Sequence, residues 1–154
     1  MKLWGGRFAK GTNVMVDDFN SSIRFDERLY KHDIQGSIAH VTMLAKQSII
    51  TDSDRDAIVQ GLNDLLVEIE AGQVTFTISE EDIHMNLEKL LIDKVGDVGK
   101  KMHTGRSRND QVALDIRLYM RDELKIVDAQ LKSLQVVLLE MSRNHLGTIM
   151  PSYT

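Results

Sequence analysis

Apolar residues in this chain recur in steps of three and four, the spacing that lines one face of an α-helix. Leu29, Ile34, Ile38, Val41 and Leu44 predict a first helix from about Asp26 to Ser48. Ile58, Leu62, Leu65 and Ile69 predict a second from Asp52 to Ala71, and Ile83, Leu87, Leu90 and Val95 mark a third. The longest stripe runs through Val112, Ile116, Met120, Leu124, Val127, Leu131, Leu134, Leu138 and Met141. It implies one helix from about Ser107 to Leu146, roughly 60 Å long at 1.5 Å per residue. Only "GQVTFTIS" (Gly72 to Ser79) alternates like a strand, and it is short enough to be an extended link or a lone strand. The expected fold class is therefore all-α.

Polar positions mark where these helices begin. Thr51-x-x-Asp54, Ser79-x-x-Asp82 and Ser107-x-x-Asp110 each fit a capping box ahead of an apolar run. The last helix is too long to bury its stripe against three shorter helices, and Leu114 and Leu118 add a second apolar edge. The pattern therefore predicts packing against helices from other chains or from further sequence. A single-chain bundle with an exposed overhang is the alternative.

Composition narrows the class without naming it. The 154 residues are 42% hydrophobic and 27% charged, as in a water-soluble domain with a sizeable core. The net charge of −4 argues against a general nucleic-acid binder. No cysteine is present, which removes disulfides, thiol nucleophiles and thiolate-bound metals and suits a reducing cytoplasm. No stretch reaches the roughly 18 apolar residues of a membrane span. The first residues lack the apolar core of a signal peptide.

One local exception stands out on this acidic chain. "KKMHTGRSRNDQ" (Lys100 to Gln111) places Lys100, Lys101, Arg106 and Arg108 just where the longest helix begins. A cap formed by Ser107 and Asp110 explains those two residues but not the arginines. A helix N-terminus already carries about half a positive charge, so added cations there are unfavourable unless an anion is held. Free amides, a guanidinium and the Asn109 side chain make a carboxylate or phosphate site. Gly105 permits a tight turn, and His103 and Thr104 add donors. The competing explanation is that these cations pair with acids elsewhere or are solvated.

The same residues carry a resemblance. "HTGRSRNDQV" resembles the signature of the argininosuccinate lyase family, within the fumarase/aspartase superfamily. "LWGGRF", "FNSSIRFDERL", "DIQGSIAH", "EEDIHMNLE" and "MPSYT" are similar to that family in order and spacing, so the likeness covers the whole chain. The resemblance implies cleavage of argininosuccinate to arginine and fumarate in arginine biosynthesis, in the cytoplasm, with no metal or organic cofactor. It implies that Ser22, Asn109 and Thr154 contact the substrate, with Arg108, Ser107 and Thr104 in the same binding segment and His84 near the site. By itself His84 reads as a structural pair with Glu88, one turn on. Trp4, Gly5, Gly6 and Arg7 would form an arm reaching a neighbouring site.

The family also implies a homotetramer around a central helical bundle. On that basis residues 1–106 are expected to form an N-terminal helical domain and 107–154 the truncated start of the bundle. The family pattern continues past "SYT" with a histidine, and its catalytic serine lies far downstream. No catalytic residue is therefore expected in this chain, which reads as an N-terminal fragment inactive alone. Ser152 stands where the family pattern has glycine. The alternatives are another lyase of the superfamily, or a non-catalytic helical oligomerisation module like the lens relative δ-crystallin. Nucleic-acid binding is weak, because the basic cluster is short and lacks interleaved aromatics.

Overall fold

The computed structural model describes residues 13–153. Among them the only regular elements are helices, as expected: α1 (Val14–Asn20), α2 (Ile23–Asp26), α3 (Tyr30–Lys46), α4 (Asp52–Glu70), α5 (Ile83–Val95) and α6 (Arg108–Asn144), joined in part by 3-10 turns. The chain forms two compact units, the first ending at Ile116 and the second starting at Arg117, so α6 belongs to both. No helix among the described residues is long and apolar enough to cross a membrane.

The core of the first unit is the set of stripes read from the sequence. Ile34, Val41 and Leu44 of α3 meet Ile58, Leu62 and Leu65 of α4, and Ile83, Leu87 and Leu91 of α5 complete the layer, all buried. Burying each such side chain stabilises the fold by about 1.5–3 kcal/mol. The α4–α5 contact is close because Gly61 has no side chain. A Cβ there would lie 2.6 Å from Val95 Cγ1 and 2.9 Å from Leu91 Cδ1.

Helix starts follow local hydrogen bonding. Thr51 and Asp54 form the expected capping box, with both arms at 3.1 Å. The box expected at Ser79 is not made. Ser79 lies inside a 3-10 turn, Ile78–Glu80, and Asp82 caps α5 instead, its carboxylate accepting from Met85 N–H at 2.7 Å. An N-cap needs extended backbone, which Asp82 has (φ −130°, ψ 169°). The first helix expected from Asp26 begins instead at Tyr30, behind the 3-10 turn Glu27–Leu29. The segment Gly72–Ser79 is a link, not a strand.

The start of α6 buries a face that apolar periodicity does not mark. Gln111 and Asp115, one turn apart, are 1% and 0% exposed, whereas Ile116 of the apolar stripe is 47% exposed. Past Asp115 no described residue is buried. In the second unit Met120, Leu124, Val127, Leu131, Leu134, Leu138 and Met141 are each 46–57% exposed, so the stripe expected to need partners is uncovered in the single chain.

Candidate functional site

The elements α2, α5 and the start of α6 bring several of the expected residues together. Ser22 precedes α2; its hydroxyl donates to Asp26 Oδ2 at 2.6 Å and its N–H donates to the Glu81 carbonyl at 2.8 Å. Burial raises the Asp26 pKa despite the hydrogen bond from Ser22. Arg108, half-buried at the first position of α6, reaches back to α5: Nε is 3.4 Å from Asp82 Oδ2 and Nη2 is 4.0 Å from Glu88 Oε2. Its Nη1 donates to Gln111 Oε1 at 2.7 Å, and Gln111 Nε2 donates to Asp33 Oδ1 at 2.6 Å. Arg108 is thereby tied through Gln111 to the buried interior of α3.

Asp33 meets His84 there. His84 Nδ1 lies 3.2 Å from Asp33 Oδ2 and 3.4 Å from Asp115 Oδ2, although neither contact is aligned as a hydrogen bond. The partner expected from sequence, Glu88, is corrected to this pair of aspartates. All three side chains are at most 2% exposed. Burial lowers the His84 pKa, but Asp33 outweighs it and the net shift is upward. Burial opposes ionisation of Asp33 too, yet His84, Gln111 and Arg106 together hold its pKa below the ordinary value. Asp115 is left with the unfavourable share: burial and the neighbouring Asp33 charge push it up to about 7. The shifts favour the proton on Asp115 and His84 over Asp33.

Donor atoms of Asp33, His84 and Asp115 all lie within 4.8 Å of one another, close enough in type and spacing to be tested against a metal ion. Arg106 and Arg108 act on Asp115, and Arg106 on Asp33, as positive charges, which sets the group against a further cation. Arg106 is itself almost fully enclosed, its side chain 5% exposed, and donates from Nη1 to Ser37 Oγ at 2.9 Å.

The cation surplus at the start of α6 is met by acids, as the competing explanation had it. Lys100 pairs with Asp97 at 2.5 Å, Lys101 with Asp54 at 2.7 Å, Arg106 with Asp110 at 3.7 Å, and Arg108 with Asp82 and Glu88. The Lys101 hydrogen bond holds Asp54 down to about 2. The positive charge at this helix start therefore does not by itself demand a bound anion. The arginine pairs, at 3.4–4.0 Å, are longer than the two lysine pairs.

Ser107 and Asn109 sit exposed at the same helix start. Ser107 N–H donates to Asp110 Oδ2 at 2.9 Å, and Ser107 Oγ accepts from Asn109 N–H at 3.2 Å rather than from Asp110. Gly105 takes φ +65°, as a tight turn before the cap requires. Thr104 lies apart: its carbonyl accepts from His40 Nε2 at 3.0 Å, and it lines an open depression of about 660 Å³ with Ser48, Thr51, Asp54 and Lys101. Thr154 and the segment Trp4–Arg7 fall outside the described residues.

Residues 6–154 match the family model described as Lyase. The chain belongs to the Lyase family. Its helices are those of the fumarase/aspartase superfamily's all-α fold. It is 60% identical over 153 residues to the argininosuccinate lyase of Heliobacterium mobile, covering 99% of this chain and 33% of that one. It is 60% identical to the argininosuccinate lyase of Ruminiclostridium cellulolyticum over 100% of this chain and 34% of the relative. The lyase of Moorella thermoacetica is 57% identical over 100% of this chain and 33% of its own. The chain spans about a third of the length of these curated relatives.

Sequence reasoning on this Lyase-family chain missed Asp33, Gln111 and Asp115. Each belongs to a polar pair spaced by four: Asp33 with Ser37, and Gln111 with Asp115. Such pairs ordinarily read as a solvated helix face. Here the two pairs face each other and are buried.

Proposed function

We propose that this chain forms the amino-terminal, substrate-binding part of an argininosuccinate lyase, which splits argininosuccinate into arginine and fumarate by β-elimination. The observation that carries the reading is 57–60% identity to argininosuccinate lyases along the chain. In such an elimination a base removes the proton beside a carboxylate, negative charge gathers on that carboxylate, and the guanidinium nitrogen leaves protonated. Hydrogen-bond donors fixed around the carboxylate lower that barrier.

On this reading Ser22, Asn109 and Thr154 contact the substrate. Arg108 exchanges its long contact with Asp82 for a substrate carboxylate. His84, seated on Asp33 behind it, lies near the site, and Ser107 and Thr104 shape the approach. The base and the acid come from the rest of the protein, and the elimination calls for no metal or organic cofactor. The uncovered α6 stripe packs on other copies in a homotetramer. The protein acts in arginine biosynthesis in the cytoplasm.

The test joins this chain to the remaining two thirds of the Heliobacterium mobile lyase and compares Asn109→Ala with the parent. The Asn109 side chain is exposed and only its N–H serves the cap, so folding is preserved. Loss of one carboxylate donor costs about 2 kcal/mol in the transition state, or roughly 30-fold in kcat/KM. An unchanged kcat/KM overturns the assignment.

A further inference from the structure

Glu81 adopts φ 59°, ψ −59°, a conformation that a residue with a Cβ rarely takes. It is the centre of a γ-turn: Asp82 N–H donates to the Glu80 carbonyl at 2.6 Å. This hand of γ-turn is rare and strained. A strained residue costs on the order of 1–3 kcal/mol and persists only where its surroundings over-determine it. The surroundings here do so. Asn86, 3% exposed, donates to the Asp82 carbonyl at 2.8 Å and the Thr77 carbonyl at 3.2 Å, and accepts from Thr77 N–H at 2.8 Å. One buried amide thus pins both ends of the 77–82 segment, while Lys89 holds Glu80 at 2.7 Å and Asp82 caps α5.

The strain has a visible result. The turned Glu81 carbonyl accepts from Ser22 N–H at 2.8 Å, Ile23 N–H at 3.2 Å and the Ser21 hydroxyl at 2.9 Å. Three donors from one segment converge on a single oxygen that a relaxed backbone would aim elsewhere. We infer that the γ-turn at Glu81, clamped by Asn86, is a positioning device that fixes the Ser21–Ile23 segment, and with it the Ser22 hydroxyl on Asp26. The Glu81 backbone carbonyl is the group that receives the Ser21, Ser22 and Ile23 donors, so the conformation at Glu81 sets where that segment lies. The functional half of the inference rests on the reading of Ser22 as a substrate contact; the structural half does not.

Three substitutions separate these. Glu81→Gly accepts φ +59° without strain, Glu81→Ala removes only the carboxylate, and Glu81→Val disfavours the turn most strongly. In the 154-residue chain, amide hydrogen exchange of Ser22 and Ile23 is expected to quicken at least tenfold in Glu81→Val and to stay near the parent rate in Glu81→Gly and Glu81→Ala. Core amides such as that of Leu62 serve as the folding control. In the chimeric lyase, Glu81→Val is expected to raise KM for argininosuccinate at least tenfold, with Glu81→Gly restoring it. Unchanged exchange in Glu81→Val, or equal loss in all three variants, overturns the positioning role. Exchange that changes as expected while KM does not leaves the turn as a positioner of the segment and overturns its link to substrate. A chimera silent on argininosuccinate in its parent form instead condemns the lyase reading, and exchange still decides the turn.

Discussion

Three ionisable side chains that are nearly shut off from water share one small volume at Asp33, His84 and Asp115, and their proton inventory must depend on pH. Asp115 keeps its proton up to about 7, a proton that the unfolded chain has already released. Its contribution therefore diminishes as pH rises from about 4 to about 7. His84, with a raised pKa, contributes stability below its unfolded value that is lost as pH rises through its folded one. Asp33, with a lowered pKa, does the opposite and loses its contribution only as pH falls into the carboxylate range. Unfolding free energy is thus expected to decline from about pH 4 to about pH 7 as Asp115 titrates, and further as pH rises through the raised His84 pKa, with no single group contributing a slope steeper than about 1.4 kcal/mol per pH unit. Asp115→Asn mimics the protonated acid and should remove its share of that decline, as read by urea unfolding at several pH values. A stability profile identical to the parent's across this range contradicts the proton assignment. None of this was legible in the sequence, because charge-bearing i, i+4 pairs look like surface until another helix is known to cover them.

At the level of elements, the four longer helices were legible from apolar spacing to within a few residues at most ends. Thr51 shows why: cap chemistry and apolar periodicity agree there. Ser79 shows the limit, since the same pattern is present but the backbone that must accompany a cap occurs three residues later, at Asp82. The short helices α1 and α2 bury little; Ile23 alone is buried on α2, so no periodic signal marked them. Packing between elements is legible at Gly61 only once α5 is in place. Gly61→Ala must force Val95 and Leu91 away from α4, and overpacking of this kind costs about 1–3 kcal/mol. A lowered urea midpoint with an unchanged slope is the expected result, and an unchanged midpoint would mean that the two helices are not in close contact.

At the scale of the whole molecule, the apolar stripe of α6 and the match to relatives three times longer bear on the same point. A row of half-exposed Leu, Val and Met side chains is costly to leave in water, at about 25 cal/mol per Å². The sequence foretold that this row lacks cover within the chain. It did not foretell that the α6 start is anchored by polar contacts, through Gln111 to Asp33 and through Arg108 to Asp82. On the proposed function, packing on other copies would cover this row. Fumarate release from argininosuccinate, followed by ultraviolet absorbance, tests the proposed function most directly. Turnover is expected from the chimera of this chain with the rest of the Heliobacterium mobile lyase, and none from the 154-residue chain alone. A chimera that assembles as the parent lyase does yet releases no fumarate, or a lone chain that does release it, contradicts the account.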